Sequence, residues 1–305
     1  MTVGIFTHSN CLKHEMGPYH PECPQRLSAI IKTLREQSWS NQLAWKEAPC
    51  ATKEHLLSVH EPQYVESLFS KQPKDYVSLD ADTVMNPYSL IAALRASGAL
   101  IAAVDDVFTG KLRSAFCAVR PPGHHAEPGR AMGFCLFNNV AIGVSHALKE
   151  YGCQRVAIID FDVHHGNGTQ TMFEHESRVC FWSSFQHPFY PGATIPSLHR
   201  SIHLCPLHAG TDSAAYRQKV DTELVPLLEK VKPDCIFISA GFDAHFADPL
   251  ANLNFSTQDY GYITQVLRQI ADKYAKGRVI STLEGGYNLS ALSESVAEHV
   301  RALIA

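Results

Sequence analysis

Arg155-Val156-Ala157-Ile158-Ile159-Asp160-Phe161-Asp162-Val163-His164-His165-Gly166-Asn167-Gly168-Thr169 is the stretch that decides the fold. Its first half is a short, β-rich apolar run of the kind buried on both faces of a parallel sheet. Its second half turns abruptly polar. In extended backbone, side chains two residues apart point the same way, so Asp160, Asp162 and His164 share one face. Two carboxylates and an imidazole that converge can hold a divalent metal. The competing reading is a polar strand end with an Asx turn and a glycine-rich helix entry.

Outward from this stretch, short apolar or β-branched runs alternate with segments of helical period, the order expected of β-α units around a mainly parallel sheet. The strands predicted are Thr2 to Phe6, Ser114 to Ala118, Arg155 to Ile159, Arg178 to Phe181, Ile202 to Leu204, Cys235 to Ser239 and Arg278 to Thr282. Helical faces run through Leu90, Leu94, Ile101, Val104 and Phe108, and through Val220, Leu224, Leu227 and Val231. A third joins Ile263, Val266, Leu267 and Ile270 after a capping box at Ser256 and Asp259, and the last joins Leu292, Val296, Val300 and Leu303. No repeat or linker divides the chain, so residues 1–305 read as one catalytic domain. In open α/β sheets ligands sit outside the carboxyl ends of the strands. The polar clusters each follow a predicted strand, which places them on one edge.

Three further clusters join the first. Arg120-Pro121-Pro122-Gly123-His124-His125-Ala126 follows Ala115 to Val119, and its Pro-Pro-Gly turn can aim two imidazoles. Gly241-Phe242-Asp243-Ala244-His245 follows Cys235 to Ala240, where Asp243 is either a cap or a third metal ligand. Leu283-Glu284-Gly285-Gly286-Tyr287 offers paired glycines that allow a mobile approach to a site, and a phenol that either packs or donates. Taken together they describe metal-assisted amide hydrolysis: a three-ligand metal polarises a carbonyl and binds water, a His pair moves protons, and Tyr287 stabilises an oxyanion. Neither a G-x-S-x-G elbow nor a phosphate-binding G-x-x-x-x-G-K-[ST] loop competes.

Composition excludes other classes. The 305 residues are 45% hydrophobic and 18% charged, enough to build a core and too apolar for a disordered chain. Net charge is 26 − 30 = −4 with no basic run, so no nucleic-acid or acidic-membrane partner is expected. The start at Met1 lacks a secretory pattern, and Leu90 to Val107, interrupted by Arg95, is a poor membrane span. Nine scattered cysteines without a C-x-x-C pair suit a reducing compartment. The expected location is therefore cytoplasmic, although export without a cleavable signal stays open.

These clusters resemble the signature motifs of the zinc-dependent histone deacetylase and acetylpolyamine amidohydrolase family, which has the arginase/deacetylase fold. The resemblance starts at His20-Pro21-Glu22-Cys23-Pro24-Gln25-Arg26 and runs through Gly133-Phe134-Cys135-Leu136-Phe137-Asn138-Asn139 to Tyr287. It implies an eight-stranded, mainly parallel sheet flanked by helices. By resemblance, Asp162, His164 and Asp243 ligate zinc, or iron(II) in its place. His125 is the general base and then acid, His124 its electrostatic partner, and Tyr287 the oxyanion donor. Asp160 orients His124, and Asn167 faces His125. Many members carry Asp at the position of Asn167, whereas class II-like members carry Asn, which stabilises an imidazolium less. The Gly133 carbonyl accepts from the substrate amide, Phe134 and Tyr190 wall the acyl tunnel, and Asp82, with Asp80, lies at its rim. The family also binds potassium below the zinc ligands, near Asp160, Asp162 and His164, where Ser183 and Ser184 fit.

For the substrate, polyamine-specific relatives can place a glutamate after the Asp-Pro of the third motif, which attracts a distant ammonium. Here Asp248-Pro249 is followed by Leu250, and the long insertion of bacterial polyamine enzymes is lacking. The resemblance thus favours an acyl-lysine protein or peptide over an acetylpolyamine or another small N-acyl amide. A catalytically silent acyl-lysine binding module is a third possibility, and it would be expected to have lost Tyr287 or a metal ligand.

Overall fold

The computed structural model describes residues 2–71, 73–192 and 199–304. The decisive stretch forms the strand Val156–Asp160, all five residues buried. Such a strand needs parallel neighbours on both sides and helices on both faces, and that is its setting. The strands are β1 (Val3–Thr7), β2 (Leu43–Glu47), β3 (Val77–Ser78), β4 (Val84–Met85), β5 (Ser114–Cys117), β6 (Val156–Asp160), β7 (Val179–Gln186), β8 (Ile202–Leu207), β9 (Cys235–Ala240) and β10 (Val279–Leu283). Eight of them form one sheet in the order β2-β1-β5-β10-β9-β6-β7-β8. Every pairing in it is parallel, so this is a single α/β domain. The β3–β4 pair is a separate antiparallel hairpin.

One expectation needs extending. The sequence pattern predicts seven strands, and the eighth, β2, is missed because Leu-Ala-Trp-Lys-Glu lies at the sheet edge with only its first residue buried. An edge strand half in solvent carries no apolar run to find. The other edge, β8, runs on to Leu207 through Pro206, tolerated there because an edge strand has a free ladder side. β7 continues past Phe181 to Gln186 with every residue buried, so the polar pair Ser183 and Ser184 is inside the sheet. Burying Trp182 of this strand alone is worth about 2–3 kcal/mol.

The predicted helical faces form Ser89–Phe108, Thr257–Tyr274 and Leu289–Ile304, and the Val220 to Val231 face belongs to a continuous run from Ser213 to Val231 with a π-helical segment at Val220–Leu224. Both arms of the Ser256–Asp259 capping box are made. Helices Pro24–Glu36 and Asn139–Glu150 were not predicted. Among the described residues no helix is long and apolar enough to cross a membrane, and all nine cysteines are unpaired.

The strand order positions the site. β5, β10, β9, β6 and β7 are consecutive across the middle of the sheet, so the loops leaving their carboxyl ends share one edge.

Candidate active site

Each functional loop leaves one of these strands. Asp160 is the last residue of β6, and the sheet register sets it beside Ser183 of β7 and Ser239 of β9. Asp162 and His164 follow in the loop, held by local bonds: Asp162 N–H donates to Asp160 Oδ1 at 3.1 Å, and His164 N–H to Asp162 Oδ1 at 2.8 Å. Asp243 comes from the loop after β9, where its Oδ1 accepts from Val163 N–H at 2.9 Å. Donor atoms of Asp162, His164 and Asp243 all lie within 4.8 Å of one another. The predicted triad is therefore assembled.

The residues fit a divalent cation. His164 Nδ1 lies 3.0 Å from Asp162 Oδ1 and 3.2 Å from Asp243 Oδ2. Asp243 Oδ2 is buried without an aligned hydrogen-bond donor among the described residues. Burial opposes a charge on His164, yet the adjacent carboxylates of Asp162 and Asp243 raise its pKa to about 10. A pocket that draws a proton so strongly would draw a metal ion likewise. Two carboxylates and one imidazole leave coordination positions open, as hydrolytic zinc sites do. Gly285 also matters here, because a Cβ on it would sit 2.0 Å from Asp243 Oδ2. Close approach to Asp243 and Asp162 explains a glycine at that position.

The two adjacent histidines are pushed in opposite directions. His124 Nδ1 is 2.9 Å from Asp160 Oδ2 and its Nε2 3.9 Å from Asp162 Oδ1. Burial disfavours its charged form, but Asp160 and Asp162 outweigh burial and raise its pKa to about 10. His125 is pushed the other way, well below its ordinary value, by burial and then by repulsion from His124 and His164. Its Nδ1 lies 2.8 Å from Asn167 Oδ1. The site thus favours the cation on one imidazole and the neutral ring on its neighbour.

Aromatic groups surround this pair. Tyr190 stands edge-on to His125 at 5.1 Å between centroids, and Phe134 is edge-on to Tyr287 at 6.0 Å. Phe189, the residue before Tyr190, stacks on His164 at 5.3 Å. Gly133 takes φ +57°, and a Cβ there would meet His125 Cδ2 at 2.3 Å, so only glycine fits. Its N–H donates to Asp82 Oδ1 at 3.0 Å, which places the β3–β4 turn against this loop. Leu250 is exposed, and its N–H donates to Asp248 Oδ1 at 3.0 Å. The other oxygen of Asp248 accepts from Tyr287 N–H at 2.7 Å, which ties Leu250 to the tyrosine loop. Among the potassium candidates, Ser184 Oγ is buried and faces the Tyr216 hydroxyl without a well-aligned hydrogen bond, whereas Ser183 Oγ meets His165 Nδ1 at 3.1 Å.

Other buried groups hold the loops and were missed in sequence. Glu284 accepts from Gly123 N–H at 2.7 Å, His124 N–H at 3.2 Å and Ser239 Oγ at 3.1 Å. Burial pushes its pKa up to about 7. Arg26, fully buried, donates to the carbonyls of Glu284 and Gly286 and pairs with Glu22, which also receives Arg120. The His20 to Arg26 motif marked the first of these residues, and Glu284 lay inside a quoted cluster. Nothing in the spacing said what either would touch.

Residues 20–303 match the histone deacetylase domain family. The chain belongs to the histone deacetylase family. It is 37% identical to a probable deacetylase of Archaeoglobus fulgidus over 95% of this chain and 82% of that protein. It is 33% identical to the polyamine deacetylase HDAC10 of Mus musculus, over 93% of this chain but only 45% of that protein. Among solved structures, the HDA15 HD domain superposes with a TM-score of 0.92 at 33% identity, covering 99% of this chain and 90% of the other. As a member of the histone deacetylase family the chain is a hydrolase acting on amide bonds, in a family that is generally zinc-dependent.

Proposed function

We propose that this deacetylase removes acetyl or other acyl groups from the Nε of lysine in proteins or peptides. One observation carries the reading: His124, paired with Asp160, and His125, paired with Asn167, stand side by side next to a candidate metal-ligand triad of Asp162, His164 and Asp243. Zinc held by that triad supplies Lewis acidity for the amide carbonyl and an acidified water. His125, neutral at Nε2, takes a proton from water and returns it to the leaving lysine amine. His124, kept cationic by Asp160, balances the negative charge that develops. Tyr287 donates its hydroxyl to the oxyanion, and the Gly133 carbonyl receives the substrate N–H. Phe134 and Tyr190 exclude water from the alkyl chain, and Asp82 sits at the entrance. A potassium ion near Asp160, Ser183 and Ser184 would hold the floor of the site, a role supported by the burial of both serines beside Asp160.

Leu250, apolar at the rim, supports acyl-lysine over a polyamine, since it offers no charge to a distant ammonium. The mouse relative that is a polyamine deacetylase makes the comparison necessary. Zinc-loaded protein is expected to release acetate from acetyl-lysine peptides with a kcat/KM at least about tenfold above that for acetylputrescine or acetylspermidine, a difference of 1.4 kcal/mol. The reverse ranking would assign the site to polyamines. Tight peptide binding without acetate release would assign it to a binding module.

A further inference from the structure

To accept a proton at Nε2, His125 must be a neutral imidazole, which carries its one proton on either nitrogen. Only the form with the proton on Nδ1 leaves a lone pair on Nε2. A carboxylate at Nδ1 would impose that form, because it can only accept. The partner is instead Asn167, an amide that accepts on one side and donates on the other. Taken alone it could turn over and present its NH2 to Nδ1, reversing the tautomer.

A third residue removes this freedom. Asn167 Nδ2 donates to Glu127 Oε1 at 2.8 Å, on the far side from its 2.8 Å contact with His125. A carboxylate is acceptor-only, so the amide must show its NH2 to Glu127 and its oxygen to His125. The remaining neighbours of Nδ2, the His125 carbonyl at 3.5 Å and Met132 Sδ at 3.4 Å, lie farther off or accept weakly. Glu127 is itself fixed: Arg130 donates Nε to its Oε2 at 2.8 Å and Nη2 to its Oε1 at 3.1 Å. Its backbone is closed by Glu127 N–H to Arg130 O at 3.0 Å.

We propose that Glu127 is a positioning residue that sets the Asn167 amide and, through it, the base tautomer of His125. This rests on the reading of His125 as proton acceptor. The carboxylate that an Asp at position 167 would have supplied is moved one residue outward and acts through the amide. The arrangement also predicts a compensating swap. An Asp at 167 beside Glu127 sets two carboxylates in contact, and a Gln at 127 then restores donor against acceptor.

Two measurements test this. In zinc-loaded protein Glu127→Ala should lower kcat about tenfold, the effect of one charge-assisted hydrogen bond on the amide orientation, with KM and zinc content unchanged. Asn167→Asp should lose activity and Asn167→Asp/Glu127→Gln should recover most of it, a non-additive cycle. Long-range 1H–15N spectra of histidine-labelled, metal-free protein should show His125 protonated at Nδ1 in the wild type and a mixture with the Nε2-protonated form in Glu127→Ala. Wild-type kcat in Glu127→Ala, an additive cycle, or an unchanged tautomer would each overturn the proposal. If Glu127→Ala fails to fold, the swap cycle and the spectrum of Glu127→Gln decide. The spectra need no substrate, so a changed tautomer in a protein that cleaves no acyl amide would sink the deacetylase role and leave the amide orientation standing.

Discussion

The guanidinium of Arg26 lies 4.9 Å from the ring centroid of Tyr287, and it donates to the carbonyls of both Glu284 and Gly286 at 2.6 Å. The glycine loop that presents the tyrosine is thus fastened to a helix from the other end of the chain. Arg26→Met leaves two buried carbonyls without donors and removes one cation from Glu22. Urea denaturation should show a loss of roughly 3–5 kcal/mol. Turnover of the folded fraction should fall as Tyr287 loses its support, and full stability would show the loop to be self-supporting.

Tyr287→Phe isolates the hydroxyl from that scaffold. Zinc content should stay at wild-type level while kcat drops by about 10² to 10³, the typical cost of one oxyanion donor. Near-normal kcat would remove the phenol from the mechanism.

Asp243→Ala addresses the metal. The variant should retain little zinc after gel filtration, and added zinc should no longer raise its melting temperature, since stabilisation by a ligand requires binding to the native state. Zinc stoichiometry equal to wild type would contradict ligation by Asp243.

Gly133→Ala places a methyl group against the ring of His125 in a positive-φ backbone. The ring must move, so kcat should fall at least about tenfold, because small displacements of a reacting group are costly. A crystal structure with His125 unmoved and full activity would refute this.

Stability should weaken in mild acid through a histidine outside the site. His299 bridges Thr264 and Ser281 at 2.6 Å and 2.8 Å, and burial lowers its pKa from 6.5 to about 3. The unfolded chain therefore binds the proton first. The stabilisation is complete above pH 6.5 and is lost as pH falls toward 3. The loss reaches about 2 kcal/mol by about pH 5 for this one group. His299→Asn should flatten the urea-midpoint profile between about pH 7 and about pH 5, and an unchanged profile would absolve it.

Legibility in the sequence followed burial. Strands closed on both faces, such as Val156–Asp160, announce themselves as apolar runs, while Leu43–Glu47, wet at the edge, does not. Asp162 and His164 were visible at alternate positions beyond a strand end, while Asp160, the third residue of that pattern, faces His124 instead and its place is taken by Asp243. The supports were not, because the partner of a buried charge is chosen by the fold: Glu22 meets Arg120, and Glu284 meets the backbone of Gly123. The different settings of the histidine pair came from the resemblance, not from residue type. His124 and His125 are adjacent and identical in type, yet Asp160 faces one and Asn167 the other.

The strand order has a bearing on synthesis. β5 and β6, which deliver the histidine pair and Asp162 with His164, are separated in the sheet by β10 and β9, which leave the ribosome after the other strands of the sheet. A nascent chain that ends before Cys235 holds a sheet with its two middle places unfilled and lacks both Asp243 and Tyr287. Closure must wait for the carboxyl-terminal strands to insert between earlier ones, a step dominated by distant contacts and hence slow. Until it happens, the exposed flanks of β5 and β6 need a chaperone or rapid release to avoid pairing with another chain.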